Sequence, residues 1–181
     1  MAHFEQQQFV QSVKDEFPSF FHGGRIVEIG SLDINGSVRR FFDAPKEYVG
    51  VDVGAGKGVD VVCEGQSYDG ATGSFDVAIS AECFEHNPYW EATFANMHRM
   101  VRDEGLIVMT CATTGRPEHG TTRSDMGSSP LTVGKGWDYY KNLIEEDFYN
   151  AFPIGCMFSE HCFKVNTSSH DLYFWGLVSK L

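Results

Sequence analysis

Arg25-Ile26-Val27-Glu28-Ile29-Gly30-Ser31-Leu32-Asp33-Ile34-Asn35-Gly36-Ser37, followed by Tyr48-Val49-Gly50-Val51-Asp52-Val53, decides how the rest of the chain is read. The pattern is a buried strand, a glycine-bounded turn, a short helix and a second strand that ends in an acid. Gly30 has no Cβ, so backbone there can approach a ligand closely. A carboxylate at the tip of the next strand can accept hydrogen bonds from both hydroxyls of a ribose. The arrangement suits a nucleoside.

Working outward, Gln7 to Phe21 carries apolar residues at helical spacing, and Pro18 kinks or ends that helix. Arg25 to Gly30, Tyr48 to Val53, Val59 to Cys63, Ser74 to Ser80 and Leu106 to Cys111 read as strands, with a short helix at Ser37 to Phe42. Asn87-Pro88 reads as a helix start, with Asn as N-cap and Pro at the first helical position. That helix stops at Gly105, and His98 falls on its exposed side. Residues 113–136 have no clear period and form a long loop, after which Trp137 to Phe152 returns to helix. Gly155 to Asn166 and Leu172 to Ser179 are two last strands. The fold expected is a Rossmann-like, doubly wound α/β domain over residues 1–181. Its seven-stranded sheet is mostly parallel with an antiparallel last strand, and helices cover both faces.

The chain has 181 residues and a formal net charge of −11. An acidic surface disfavours nucleic acid as substrate, because gripping phosphates needs clustered basic residues. No apolar run approaches the ~20 residues that cross a bilayer, and Met1 to Gln8 lack a signal-peptide pattern; a cytoplasmic location is the expectation. A homodimer is compatible with the sequence. The five cysteines form no Cys-x-x-Cys pair, and His161-Cys162 with Cys156 lack a fourth ligand, so no metal site is expected.

Two nucleoside cofactors fit the opening motif, a nicotinamide dinucleotide and S-adenosylmethionine. A dinucleotide turn uses Gly-x-Gly-x-x-Gly to seat pyrophosphate on a helix N-terminus. Here Leu32 stands between Gly30 and Gly36, and the close-approach glycine is missing. S-adenosylmethionine carries no phosphate and tolerates a looser turn. Ser31, Asp33 and Asn35 offer polar groups to its amino acid end.

A second segment joins the first. Phe75-Asp76-Val77-Ala78-Ile79-Ser80-Ala81-Glu82-Cys83-Phe84-Glu85-His86, a helix, and then Met100-Val101-Arg102-Asp103-Glu104-Gly105-Leu106-Ile107-Val108-Met109-Thr110 resemble the central part of class I S-adenosylmethionine-dependent methyltransferases. The resemblance covers roughly half the chain, from Arg25 to Cys111. It implies that Glu28 orders the glycine turn and faces the amino acid end of the cofactor, with Gly30 as the close-approach glycine. It also implies that Asp52 binds the ribose and Val53 contacts adenine, that Glu64-Gly65 read the adenine amino group, and that Ser80 and Ala81 line the methionyl portion. His86 matches a histidine that often points toward the transferred methyl. The chain departs from the family in its longer turn. Asn87-Pro88-Tyr89-Trp90 resembles the Asn-Pro-Pro-Tyr box of nucleic-acid amino methyltransferases, but it is read as a cap.

The expected function is methyl transfer to a small-molecule acceptor at oxygen or nitrogen. A nicotinamide-dependent oxidoreductase and a non-catalytic cofactor-binding domain are the alternatives. The long loop, 112–137, follows the fifth strand at the edge where open parallel sheets bind ligands. Arg116 and His119 on it are candidates to orient substrate, and Trp137 and Tyr140 to line the acceptor pocket. His86 and His119 are the candidate general bases.

Overall fold

The computed structural model describes residues 3–34 and 36–180. Seven strands form one sheet in the order β3-β2-β1-β4-β5-β7-β6. They are β1 (Arg25–Ile29), β2 (Glu47–Asp52), β3 (Val61–Val62), β4 (Phe75–Ala81), β5 (Val101–Ala112), β6 (Phe158–Asn166) and β7 (Asp171–Val178). Strands β1 to β5 pair in parallel, and β7 runs antiparallel to both β5 and β6. The expected sheet, with its antiparallel last strand, is present.

Alternation along the strands divides the core in two, because successive side chains point to opposite faces. On β5, Ile107 and Met109 join Phe84, Phe94, Met97 and Phe148 on one face. Leu106 and Val108 join Phe9, Val10, Val13 and Phe41 on the other. The first face is covered by α2 (Trp90–Met100) and α4 (Glu145–Ala151), the second by α1 (Phe4–Glu16) and a 3-10 turn at Val38–Phe41. As Pro18 predicts, α1 stops at Glu16 and a 3-10 turn, Pro18–Phe21, follows.

Four local expectations need correction. Asn87 is not a helix N-cap: its Oδ1 accepts from the Tyr89 amide at 2.8 Å, and α2 begins one residue beyond, at Trp90. The helix stops at Met100 rather than Gly105, because β5 starts at Val101 and absorbs a bulge opposite Phe75 and Val77. Residues 137–144 are not helical, and the long loop carries its own short helix, α3 (Pro130–Lys135). The apolar spacing there arises from residues that face different neighbours: Trp137 meets Tyr89 edge to face, whereas Leu143 enters the core. His98 is half-buried, with Nε2 3.0 Å from the Met157 carbonyl and its ring against Phe158. A last short helix, α5 (Ile154–Met157), leads into β6.

Candidate active site

Strand order reverses between β1 and β4, so the loops leaving those two strands diverge and open a crevice beyond their carboxyl ends. Gly30 leaves β1 with φ +80°, in the left-handed region where glycine is at ease. A Cβ there would lie 2.5 Å from Cys83 Cβ, so only glycine lets the two loops touch. Glu82, just past β4, holds φ +51° without being glycine. Strain of this kind persists where surrounding structure enforces it, often at ligand sites.

Asp52 sits at the tip of β2. Its Oδ2 accepts from the Leu32 amide at 2.9 Å and its Oδ1 from the Val53 amide at 2.7 Å. Burial raises its pKa, against the lowering effect of those two amides. A carboxylate has about four acceptor positions, so capacity remains for two hydroxyls.

Two tight cavities meet at Gly30, Asp52, Cys83 and Thr132. The strand-tip cavity, about 50 Å³, is bounded by Leu32, Glu82 and His86 and roofed by Ser128 to Thr132. The adjoining cavity, about 30 Å³, is lined by Val53, Cys63, Gly65, Asn87 and Trp137. Both are far smaller than the ~300 Å³ of an open ligand site, because α3 is packed down on them. Leu131 fills the space over Gly54, and a Cβ on Gly54 would meet it at 2.7 Å. Lys135 ties α3 to Glu64 at 2.8 Å and lies over the Trp137 ring.

A third, outer cavity of about 350 Å³ lies beyond. Its walls include Glu82, His86, Arg116, Glu118 and His119, and it shares Glu82, His86 and Ser128 with the strand-tip cavity. Arg116 is held there by its own protein: Nη1 donates to the Ser169 carbonyl at 2.7 Å and to Asp171 at 3.1 Å, and Nη2 lies 3.5 Å from Glu82. Burial alone would raise Asp171, but hydrogen bonds from His3 and Ser169 and the charges of His3 and Arg116 hold its pKa below the usual range. Burial, with the charge of Glu85, pushes Glu82 up to about 8. Burial and the adjacent His119 push His86 down to about 3, so its ring stays neutral and is a weak proton acceptor.

The structure therefore gathers most, not all, of the expected residues. Gly30, Leu32 and Asp52 meet in the strand-tip cavity, and Val53 and Gly65 in its neighbour. Glu28, Ser31 and Ala81 surround a small cavity of about 10 Å³ behind the turn, where the Ser31 hydroxyl has no partner. His86, His119 and Tyr140 form one aromatic cluster, with ring centroids 4.9 to 5.5 Å apart. Four candidates point elsewhere. Ser80 turns inward and donates to the Ile29 carbonyl at 2.8 Å. Asp33 is taken by Lys57 at 2.6 Å and by the Gly36 amide. Glu64 faces Lys135 and Gln66. Trp137 lines the cavity next to Val53 rather than the one next to His119. Asn35 lies outside the described residues.

Sequence reasoning missed Glu82, Cys83, Glu85 and the roof at Ser128 to Thr132. The signal for Glu82 and Glu85 was present: two carboxylates lie within four residues of the end of an apolar strand, where water is scarce. Nothing local marks the roof, since α3 is a short helix whose docking is a tertiary event.

Residues 38–109 match the family described as methyltransferase domain. No curated protein matches the chain significantly. Solved structures of similar fold include phosphoethanolamine N-methyltransferase 2 of Haemonchus contortus, in complex with phosphomonomethylethanolamine and S-adenosylhomocysteine. It is 13% identical with a TM-score of 0.64, over 96% of this chain and 53% of that one. The 1,6-didemethyltoxoflavin N1-methyltransferase of Burkholderia thailandensis is 12% identical, with a TM-score of 0.63, over 96% of this chain and 78% of that one. The YcgJ protein of Bacillus subtilis is 10% identical, with a TM-score of 0.62, over 96% of this chain and all of that one. The chain thus spans about half the length of the first of these. The sheet is that of these methyltransferase structures, and residues 38–109 match the methyltransferase-domain family within it.

Proposed function

We propose that this chain binds S-adenosylmethionine across the strand tips and transfers its methyl group to a small-molecule acceptor in the outer cavity. One observation carries the reading: a cavity ending on the Asp52 carboxylate shares Glu82, His86 and Ser128 as walls with a second cavity of about 350 Å³. A nucleoside held by Asp52 would place its distal end beside Glu82 and His86, next to the space for an acceptor.

The residues present fit that cofactor. Asp52 keeps acceptor capacity for a sugar diol, and Val53 and Cys63 supply an apolar wall for a base. The unpartnered Ser31 hydroxyl and the Glu28 carboxylate stand behind the turn, where an amino acid end needs polar groups. A dinucleotide fits less well. Pyrophosphate needs the amides of a helix N-terminus, and the turn is followed by a 3-10 element of four residues, Val38–Phe41.

When bound, the cofactor supplies an electrophilic methyl on a sulfonium. The protein's part is position and solvent exclusion. Gly30 and Cys83 hold the two loops in contact. His86 lines both cavities, and α3 partly covers the strand tips. Holding donor and acceptor near contact distance contributes several kcal/mol toward the barrier. Admission of the cofactor requires α3 to lift, since the closed cavities are too small.

Calorimetry with S-adenosylhomocysteine and with NAD⁺ tests the reading. Binding of the first and none of the second is the expected result. Binding of NAD⁺ alone, or of neither, refutes the proposal; binding of S-adenosylhomocysteine with no methyl transfer to any acceptor leaves the non-catalytic reading in its place.

A further inference from the structure

We propose that Glu85, His86 and His119 form a site for a divalent first-row transition-metal ion on the wall of the outer cavity, with a coordination position open to an oxygen of the acceptor. The sequence carries no metal-ligand spacing for this set. Folding brings it together from the 3-10 turn after β4 and the loop after β5.

One ligand atom from each of the three side chains lies within 4.8 Å of the other two. Donors arranged ~2.1 Å from a common ion need only a small contraction from that spacing. Each donor is also oriented from behind. His119 Nδ1 lies 3.0 Å from the Pro117 carbonyl oxygen, which can only accept. That bond puts the proton on Nδ1 and leaves the Nε2 lone pair free, as in carbonyl-oriented metal histidines. Glu85 Oε1 accepts from the Ala112 amide at 3.3 Å, which leaves Oε2 to face elsewhere. Gly120, with φ +67°, packs directly on the His86 ring; a Cβ there would fall 2.6 Å from His86 Cε1.

The second observation is the set of polar atoms left without partners. Glu85 Oε2 and His86 Nδ1 are both buried and make no hydrogen bond, and the residues themselves are 0% and 3% exposed. Native proteins rarely leave such atoms unmet. No ion pair of Glu85 exists among the described residues: Arg116 serves Asp171 and Glu82, and Lys141 serves Asp147. A cation held by these side chains gives Glu85 and His86 a polar partner.

Two imidazoles and one carboxylate favour zinc, manganese, iron, cobalt or nickel over magnesium or calcium. Three protein donors leave at least one position vacant. His86 and His119 both line the outer cavity, so that position faces the acceptor space. An acceptor with a hydroxyl could coordinate there, and the ion would lower the pKa of that hydroxyl. This last step rests on the methyl-transfer reading; the metal site does not.

The test uses Co²⁺ added to the chelator-treated 181-residue chain, read by visible absorption and equilibrium dialysis. One equivalent bound, with a ligand-field band and at least a tenfold weaker affinity in His119→Ala and Glu85→Gln, is expected. His119 is half-buried in a loop, so its variant stays informative even where Glu85→Gln does not fold. No stoichiometric binding, or binding lost in His3→Ala or Cys162→Ser but kept in His119→Ala, overturns the proposal. In the first of those results Glu82 and Glu85 simply share a proton. S-adenosylhomocysteine calorimetry on the same metal-free sample separates the two claims: cofactor binding without cobalt binding sinks the metal site alone, and cobalt binding without cofactor binding sinks the function alone.

Discussion

Asp52 Oδ2 accepts the Leu32 amide at 2.9 Å, so the carboxylate at the tip of β2 closes the turn that leaves β1. One side chain thus shapes the loop and faces the cavity. Asp52→Asn keeps the size and one acceptor but loses the charge and half of the acceptor capacity. S-adenosylhomocysteine affinity should fall at least tenfold, a loss of about 1.4 kcal/mol, and the thermal midpoint should drop modestly, since one of the two backbone amides loses its acceptor. Equal affinity by calorimetry would remove Asp52 from the binding site.

Leu131 on α3 covers Gly54, and α3 roofs the strand-tip cavity. Displacing the half-buried Leu131 costs about 1.5 kcal/mol, whereas the partly exposed Lys135–Glu64 pair contributes at most ~1 kcal/mol. Leu131→Ala should therefore speed S-adenosylhomocysteine association by about tenfold, and Lys135→Ala by much less. Stopped-flow fluorescence of Trp137, which lines the adjoining cavity, reports both. If neither variant changes the rate, α3 is not the barrier.

Glu28 is buried against Tyr48, whose hydroxyl donates to Oε2 at 2.8 Å. Burial, only partly offset by that hydrogen bond, moves the carboxyl from 4.5 up to about 7. The folded state then binds this proton more tightly than the unfolded state does. Stability attributable to Glu28 is present below about pH 4.5 and is lost as the pH rises to about 7. The loss amounts to roughly 3 kcal/mol above that window. Glu28→Gln should flatten this part of the stability profile, read from urea midpoints between pH 5 and 8. An identical decline in both proteins would show that another group titrates.

Arg116 joins two buried carboxylates, Asp171 and Glu82. Removing one partner of a buried pair is costly because the other charge stays uncompensated. Arg116→Met should destabilise the fold by roughly 3 kcal/mol, and Arg116→Met with Asp171→Asn should recover part of that. A midpoint shift small in the single variant would mean the guanidinium is free to serve a substrate instead.

Much of the site was legible because it follows local rules. Gly30 and Asp52 belong to a strand-turn-strand pattern whose chemistry is written within three dozen residues, and both reach the cavity. Ser80 was misread because a strand-end hydroxyl can satisfy itself on a neighbouring strand, here the Ile29 carbonyl. Trp137 lines the cavity beside Val53, and a long loop has no period from which to say which side of the crevice it will line.

What the amino-acid order determined alone was the series of elements and their faces: apolar runs became central strands, and Pro18 ended its helix. These depend on contacts between near neighbours and on the alternation of side chains along a strand. Only the tertiary structure decided that His119 would meet Glu85 and His86, and that Leu131 would roof the strand tips. Both join distant segments, and their meeting depends on sheet order and on where a long loop buries its few apolar groups. Neither factor leaves a periodic mark in the chain.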